Sequence, residues 1–253
     1  MKNVKLNFAS NFTPASENCN ECPIKHRAVC AYTEKSEIAK LEAVKSYKTY
    51  AAGDPIVFAG DRMVFVASVV TGVARLSQTM VDGRKQMVGL LLPSDFIGRP
   101  GRAYSTFDVE ATTDVTLCCF KCKPFEKLLS DIPNLRERML EMALDELDAA
   151  REWMLLLGRK TAREKIASLL TIIARRQNSS ATVSINDITF DLNLTREAMS
   201  EYLGLTLETV SRQINALNKD GVIGLEKQRH VHVKDFGRLL AETGDDADGG
   251  FLA

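Results

Sequence analysis

The chain has 253 residues, 45% of them hydrophobic, and its 33 Lys and Arg balance 33 Asp and Glu. That length can hold two domains with separate cores. With no apolar run of membrane-spanning length and no signal-like apolar stretch in residues 1–10, a membrane or secreted protein is excluded and a cytoplasmic one is expected.

The chain opens on a cysteine-rich segment, residues 1–30. Cys19, Cys22 and Cys30 follow a C-x2-C-x7-C spacing, and Cys118, Cys119 and Cys122 group farther on. In a reducing compartment six cysteines serve something other than structural disulfides. Short loop spacing lets thiolates converge on one soft metal centre, and a fourth from a distant strand would tie the loop to the body. Spacing alone leaves three readings open: an iron-sulfur cluster, zinc with His26 as a further candidate ligand, or buried thiols with no metal.

Residues 49–60, 65–72, 73–80, 86–92 and 109–120 read as short strands, punctuated by Gly53, Gly60, Gly72, the Asp82-Gly83 turn and Pro93. Frequent short strands with glycine turns predict a barrel or jelly roll over residues 31–130. In a strand Cys118 and Cys122 face one way and Cys119 the other. Residues 131–157 then lose both glycine and strand signals. Leu140, Leu144, Leu147, Arg151 and Met154 recur at steps of four and three, the seam of a helix that pairs with a second copy, so a homodimer is expected. Arg151 breaks the seam. Either it turns out to a neighbouring acid, Asp148 or Glu152, or two copies repel and keep the metal-free dimer weak.

Residues 158–240 read as a winged helix-turn-helix. Within residues 158–238 there are 13 Lys and Arg against 9 Asp and Glu, so the basic excess sits where nucleic acid would bind. Ala198, Met199, Tyr202 and Leu203 are spaced as one helix face, and Gly204 can end that helix in the left-handed region. Thr206 is an N-cap for a second helix over residues 207–218, whose Val210, Ile214 and Leu217 form a buried face. Glu208, Ser211 and Arg212 share the opposite face near its N-terminal end, the end that enters the major groove. Residues 222–225 and 230–233 predict a hairpin wing, and residues 241–253 a disordered tail. No phosphate-cradling loop, zincin pair or nucleophile elbow is present, and an enzyme is not expected.

The cysteine cluster, AGDPIVFAGD at residues 52–61, the pairing helix and LGLTLETVSR at residues 203–212 together resemble the oxygen-responsive branch of the cyclic-AMP receptor and fumarate-nitrate-reduction regulator superfamily. CPIKHRAVCA at residues 22–31 and the stretch at residues 144–170 are similar to its FnrL and FnrN subgroup. The resemblance implies an α+β chain with a cyclic-nucleotide-binding-like β jelly roll, a long dimerisation helix and a C-terminal winged helix-turn-helix. It implies a [4Fe-4S] cluster on Cys19, Cys22, Cys30 and Cys118, lost to oxygen, with Cys119 and Cys122 as competitors for the fourth place. Base contacts by Glu208, Ser211 and Arg212 to a TTGAT-like palindrome follow from it, with phosphate contacts by Arg196, Thr206 and Thr209. It also implies an RNA polymerase contact at Asp82, Gly83 and Arg84. The glutamate and arginine-serine pair by which relatives hold cyclic nucleotide are missing from residues 96–110, so none should bind. A zinc-stabilised or thiol-redox DNA-binding regulator is the alternative.

Overall fold

A computed structural model describes residues 18–177, 186–227 and 229–245. The chain divides after Met142 into two compact units. The first begins with a 3-10 turn, Cys19–Glu21, and helix α1, Lys35–Glu42. Eight strands follow: β1 Lys45–Tyr50, β2 Pro55–Val57, β3 Phe65–Thr71, β4 Ala74–Thr79, β5 Lys85–Leu91, β6 Phe96–Ile97, β7 Asp108–Ala111 and β8 Val115–Lys121. Helices α2, Cys122–Asp131, and α3, Pro133–Arg159, come next, and α3 continues past the division between units.

The strands make two four-stranded antiparallel sheets, in the orders β1-β8-β3-β6 and β2-β7-β4-β5. Side chains alternate across each strand, and this decides where the core lies. Ala67, Val69, Leu117 and Cys119 of one sheet meet Ala74, Leu91, Val109 and Ala111 of the other in a buried interior. The opposite face of the first sheet carries Val66, Val70, Cys118 and Phe120 against Ile24, Ala28 and Val29 of the cysteine loop and Phe125 and Leu128 of α2. Loop and helix thus share one face of the sheet. The β3–β4 turn requires glycine: Gly72 has φ of 80°, and a Cβ there would lie 2.0 Å from the Asp114 carbonyl oxygen.

Three expected boundaries need correction. Residues 49–60 and 109–120 each divide into two strands belonging to different sheets, because the chain crosses the sandwich within each run. The long helix expected over residues 131–157 is α3, Pro133–Arg159, and a short α2 that was not foreseen precedes it. Cys122 is the first residue of α2 and not the end of a strand, so the alternation that pairs it with Cys118 stops at Lys121.

The second unit holds the rest of α3, then α4 Ala162–Gln177, β9 Asn186–Asp191, α5 Arg196–Leu203, α6 Leu207–Lys219, β10 Gly224–Glu226, β11 His230–Asp235 and α7 Phe236–Ala241. The wing has three strands, ordered β10-β11-β9, where two were expected. Ile166, Leu169 and Leu170 of α4 are fully buried, as are Met199, Leu203, Val210, Ile214 and Leu217. Burying each such side chain contributes about 1.5–3 kcal/mol, so the helix-turn-helix is anchored by the apolar face read from its spacing. The expected disordered tail is corrected at its start. Thr243 is buried, and Asp245 accepts from Lys160 Nζ at 2.6 Å. Residues 246–253 lie outside the described residues.

Candidate cysteine cluster and nucleic-acid interface

All six cysteines are free thiols. The 3-10 turn, capped by the Asn18 side chain on the Asn20 N–H, lays Cys19 inward, and successive turns to residue 33 bring Cys22 and Cys30 to the same side. Cys118 comes from β8, on the face that the loop covers. Burial pushes the Cys118 thiol well above its ordinary range, and Cys19, Cys22 and Cys30 raise it further, so the four thiols lie in one another's field. Cys30 is pushed up to about 11, first by burial and then by Cys22 and Cys19. Cys119 and Cys122 stand apart. Cys119 points into the interior between the sheets, where burial lifts it to about 11 and Lys48 opposes the rise. Cys122 is raised by burial and then by Glu126, and by no loop thiol. The structure therefore brings together Cys19, Cys22, Cys30 and Cys118 and leaves out the two competitors. His26 is exposed.

Polar groups surround the first thiol. Lys45 Nζ donates to Cys19 Sγ at 3.2 Å, and Glu42 Oε1 accepts from the Cys19 N–H at 2.6 Å. Ser68 lies directly across from Cys118 in the β3–β8 register, hence on the same face, and its buried hydroxyl has no partner among the described residues. Four thiols facing one covered side of the sheet, beside an orphaned hydroxyl, suit a group that takes thiolates and offers acceptors. Among the described residues no three His, Cys, Asp or Glu side chains are placed to hold a metal ion. A mononuclear ion needs such convergence, whereas a cluster that gives each thiolate its own iron takes ligands set wider apart. The residues present fit an iron-sulfur cluster held by these four cysteines.

The helix-turn-helix forms where its sequence places it. Thr195 caps α5, accepting from the Ala198 N–H at 3.0 Å, and Gly204 ends α5 with φ of 61°. The Lys165 ammonium, buried on α4, donates to the Leu203 carbonyl at 3.3 Å and holds the end of that helix. Thr206 caps α6, accepting from the Thr209 N–H at 3.2 Å. At the far end of α6, Arg163 pairs with Asp220 at 2.8 Å and with Glu242 at 2.6 Å. The end of α5 and the far end of α6 are thus each tied to other elements of the unit. Glu208 and Arg212 are exposed on α6 and Ser211 is partly so. The Glu208 carboxyl is held below its usual range by its own backbone N–H and by the Thr206 hydroxyl.

Of the three expected phosphate contacts, Thr206 and Thr209 are at the N-terminus of α6, with their hydroxyls 3.1 Å apart. Arg196 is half-buried, its guanidinium 3.6 Å from the Met199 sulfur. Asp82, Gly83 and Arg84 form the exposed β4–β5 turn, closed by a 2.8 Å Arg84–Asp82 ion pair. The seam residues Leu140, Leu144, Leu147 and Met154 are 61, 53, 46 and 72% exposed, and Arg151 pairs with Asp148 at 2.9 Å. That pair is the outward-turned arrangement. Sequence reasoning missed the wing pairs His230–Asp191, at 2.8 Å, and His232–Asp187, at 2.5 Å, because β9 was not foreseen.

Two family descriptions match the chain: a Crp-like helix-turn-helix domain over residues 164–242 and a cyclic nucleotide-binding domain over residues 47–131. The chain is 64% identical over 233 residues to the transcriptional activator protein FnrL of Cereibacter sphaeroides, covering 92% of this chain and 94% of that one. It is 40% identical over 236 residues to a probable transcriptional activator of Rhizobium leguminosarum bv. viciae, covering 93% and 96%. Among solved structures, FixK2 from Bradyrhizobium japonicum superposes with a TM-score of 0.71 at 29% identity, over 80% of this chain and 98% of that one.

Proposed function

Because this chain belongs to the Crp/Fnr family of transcriptional regulators, we propose that it is an oxygen-responsive DNA-binding activator of anaerobic or microaerobic metabolism genes. The observation that carries the oxygen reading is the gathering of Cys19, Cys22, Cys30 and Cys118 in one mutual field, three from the loop and one from β8. Bound there, a [4Fe-4S] cluster supplies a covalent tie between loop and sheet that dioxygen destroys. The chain's own residues do the rest. The loop packs Ile24, Ala28 and Val29 on the sheet face that also carries Phe125 of α2 and Leu135 of α3. Arg138 of α3 donates to the Arg27 carbonyl of the loop at 2.7 Å and stands over the Tyr32 ring. Holding the loop therefore holds the base of α3, whose exposed Leu140, Leu144, Leu147 and Met154 pair with a second copy. Dimerisation sets two α6 helices about one DNA turn apart on a TTGAT-like palindrome.

Within each half-site Arg212 grips guanine, Glu208 accepts from the cytosine amine, and Ser211 helps select the neighbouring thymine. Thr206, Thr209 and Arg196 bind phosphate, Arg196 after leaving its place beside Met199. Arg212→Ala is expected to weaken operator binding by roughly 1–3 kcal/mol and to relax choice at that guanine. Arg196→Ala weakens all sequences alike and lowers the salt slope. Equal losses on operator and random DNA for both variants would remove the division of roles.

The β sandwich takes no cyclic nucleotide in this reading. The glutamate and arginine-serine pair by which relatives hold cyclic nucleotide are missing from residues 96–110, and the Gly101 N–H is already taken by the Glu126 carboxylate at 3.0 Å. The exposed β4–β5 turn at Asp82, Gly83 and Arg84 is the proposed RNA polymerase contact. The test of the whole reading is protein purified without oxygen: it is expected to be brown, to contain iron and acid-labile sulfide, and to lose both colour and operator binding in air. A colourless protein with zinc, or one that binds the operator equally well when stripped of metal, overturns it.

A further inference from the structure

Lys45 stands beside the first of the four thiols. Its side chain is only 6% exposed, although lysine rarely goes inside unless its charge is met. The register explains its position: on β1, Lys45 lies opposite Phe120 and Tyr47 opposite Cys118, so Lys45 emerges on the sheet face covered by the cysteine loop. There its Nζ donates to Cys19 Sγ at 3.2 Å, stands 5.2 Å from the centre of the Tyr47 ring and lies 3.9 Å from Glu42 Oε1. The glutamate is the more exposed member of that pair, 32% against 6%, and its Oε1 is already accepting from the Cys19 N–H. A charged thiolate on Cys19 is a far better partner for a buried ammonium than a neutral thiol is.

We infer that Lys45 is a positioning and charge-compensating residue for the Cys19 ligand, and that its hydrogen bond to this sulfur slows attack by dioxygen on the bound cluster. The inference rests on the cluster reading above. Four thiolates add negative charge to a buried site, and a fixed cation in hydrogen-bond contact with one of them raises the cost of removing an electron. In the step concerned, a bound cluster would give up one electron and be oxidised, and dioxygen would take it and leave as superoxide. No bond to Lys45 forms or breaks. Lys45 acts by holding charge against the sulfur, so arginine should substitute for it and methionine, similar in length but neutral, should not.

The test compares full-length parent, Lys45→Met and Lys45→Arg proteins, each reconstituted with iron and sulfide without oxygen. The readouts are the bleaching rate of the cluster absorption in air-saturated buffer and the midpoint potential of the cluster. The loss of a charged hydrogen bond predicts bleaching roughly tenfold faster in Lys45→Met, with a lower midpoint potential, and Lys45→Arg within about twofold of the parent. A Lys45→Met protein that does not load, beside a Lys45→Arg protein that does, also supports the role. Parental rate and potential in a loaded Lys45→Met protein overturn this inference alone, as does failure of both variants to load. Absence of iron and sulfide from the parent overturns the cluster reading instead.

Discussion

Cys118→Ala protein isolated without oxygen is expected to lose most of its iron and its brown absorption, whereas Cys119→Ala and Cys122→Ala keep both. The difference follows from where β8 and α2 place three neighbouring sulfurs. Cys118 faces the loop and feels Cys19, Cys22 and Cys30; Cys119 faces the interior with Leu117 and Val115; Cys122 opens α2, its Sγ donating to the Met63 carbonyl at 3.4 Å. If the four cysteines hold the proposed cluster, removing Cys118 severs its tie between loop and sheet, so operator affinity should fall on the order of a hundredfold or more as dimers dissociate. Cys119→Ala carries a different cost, a small cavity in the sandwich core worth on the order of 1 kcal/mol, visible in unfolding and not in iron content. Iron assay, absorption and unfolding on the three proteins separate ligand from filler. A Cys118→Ala protein with full iron content, or a Cys119→Ala protein without iron, reverses the assignment.

How far the sequence could be read depended on the range of the interactions involved. The helix-turn-helix was legible because its determinants are local. Gly204 takes the left-handed conformation, Thr206 caps the following helix, and the i, i+4, i+7 spacing of Val210, Ile214 and Leu217 is internal to α6. The third wing strand was not. In β9, Ile188 and Phe190 alternate with exposed Thr189, but the strand owes its place to β11, whose His230 pairs with Asp191 across a sequence separation of 39. Composition misled at residues 241–245, where a polar run is ordered by Lys160 and by the buried Thr243. Composition averages over a segment and carries no information about a partner elsewhere in the chain. Around the cysteine loop, spacing allowed three thiols to converge and left open what they hold. Alternation separated Cys119 from Cys118, but only the start of α2 set Cys122 apart.

Leu144→Asp is expected to leave the protein monomeric even with the proposed cluster bound, and to reduce operator affinity on the order of a hundredfold while hardly changing the folding of either unit. Leu144 is 53% exposed and belongs to an apolar stripe with Leu140, Leu147 and Met154 on a helix of 27 residues. An exposed apolar stripe at heptad spacing gains stability by meeting its own copy. An aspartate at its middle would put two carboxylates into the same dry seam, where like charges oppose association. The second unit keeps its core, since Trp153 still stacks on Tyr202 at 4.0 Å and Leu156 stays buried. One recognition helix then grips one half-site, and the gain from linking two is lost. Arg151 tests the same seam from the other direction. In the single chain its guanidinium pairs with Asp148 on the surface, so Arg151→Leu should strengthen the metal-free dimer only if that pair must break for two helices to meet. Sedimentation of both variants, with and without metal, reads the outcome. A Leu144→Asp protein that remains dimeric with the metal bound would show that the subunits join elsewhere, and the coupling from cysteine loop to DNA could not run through this helix.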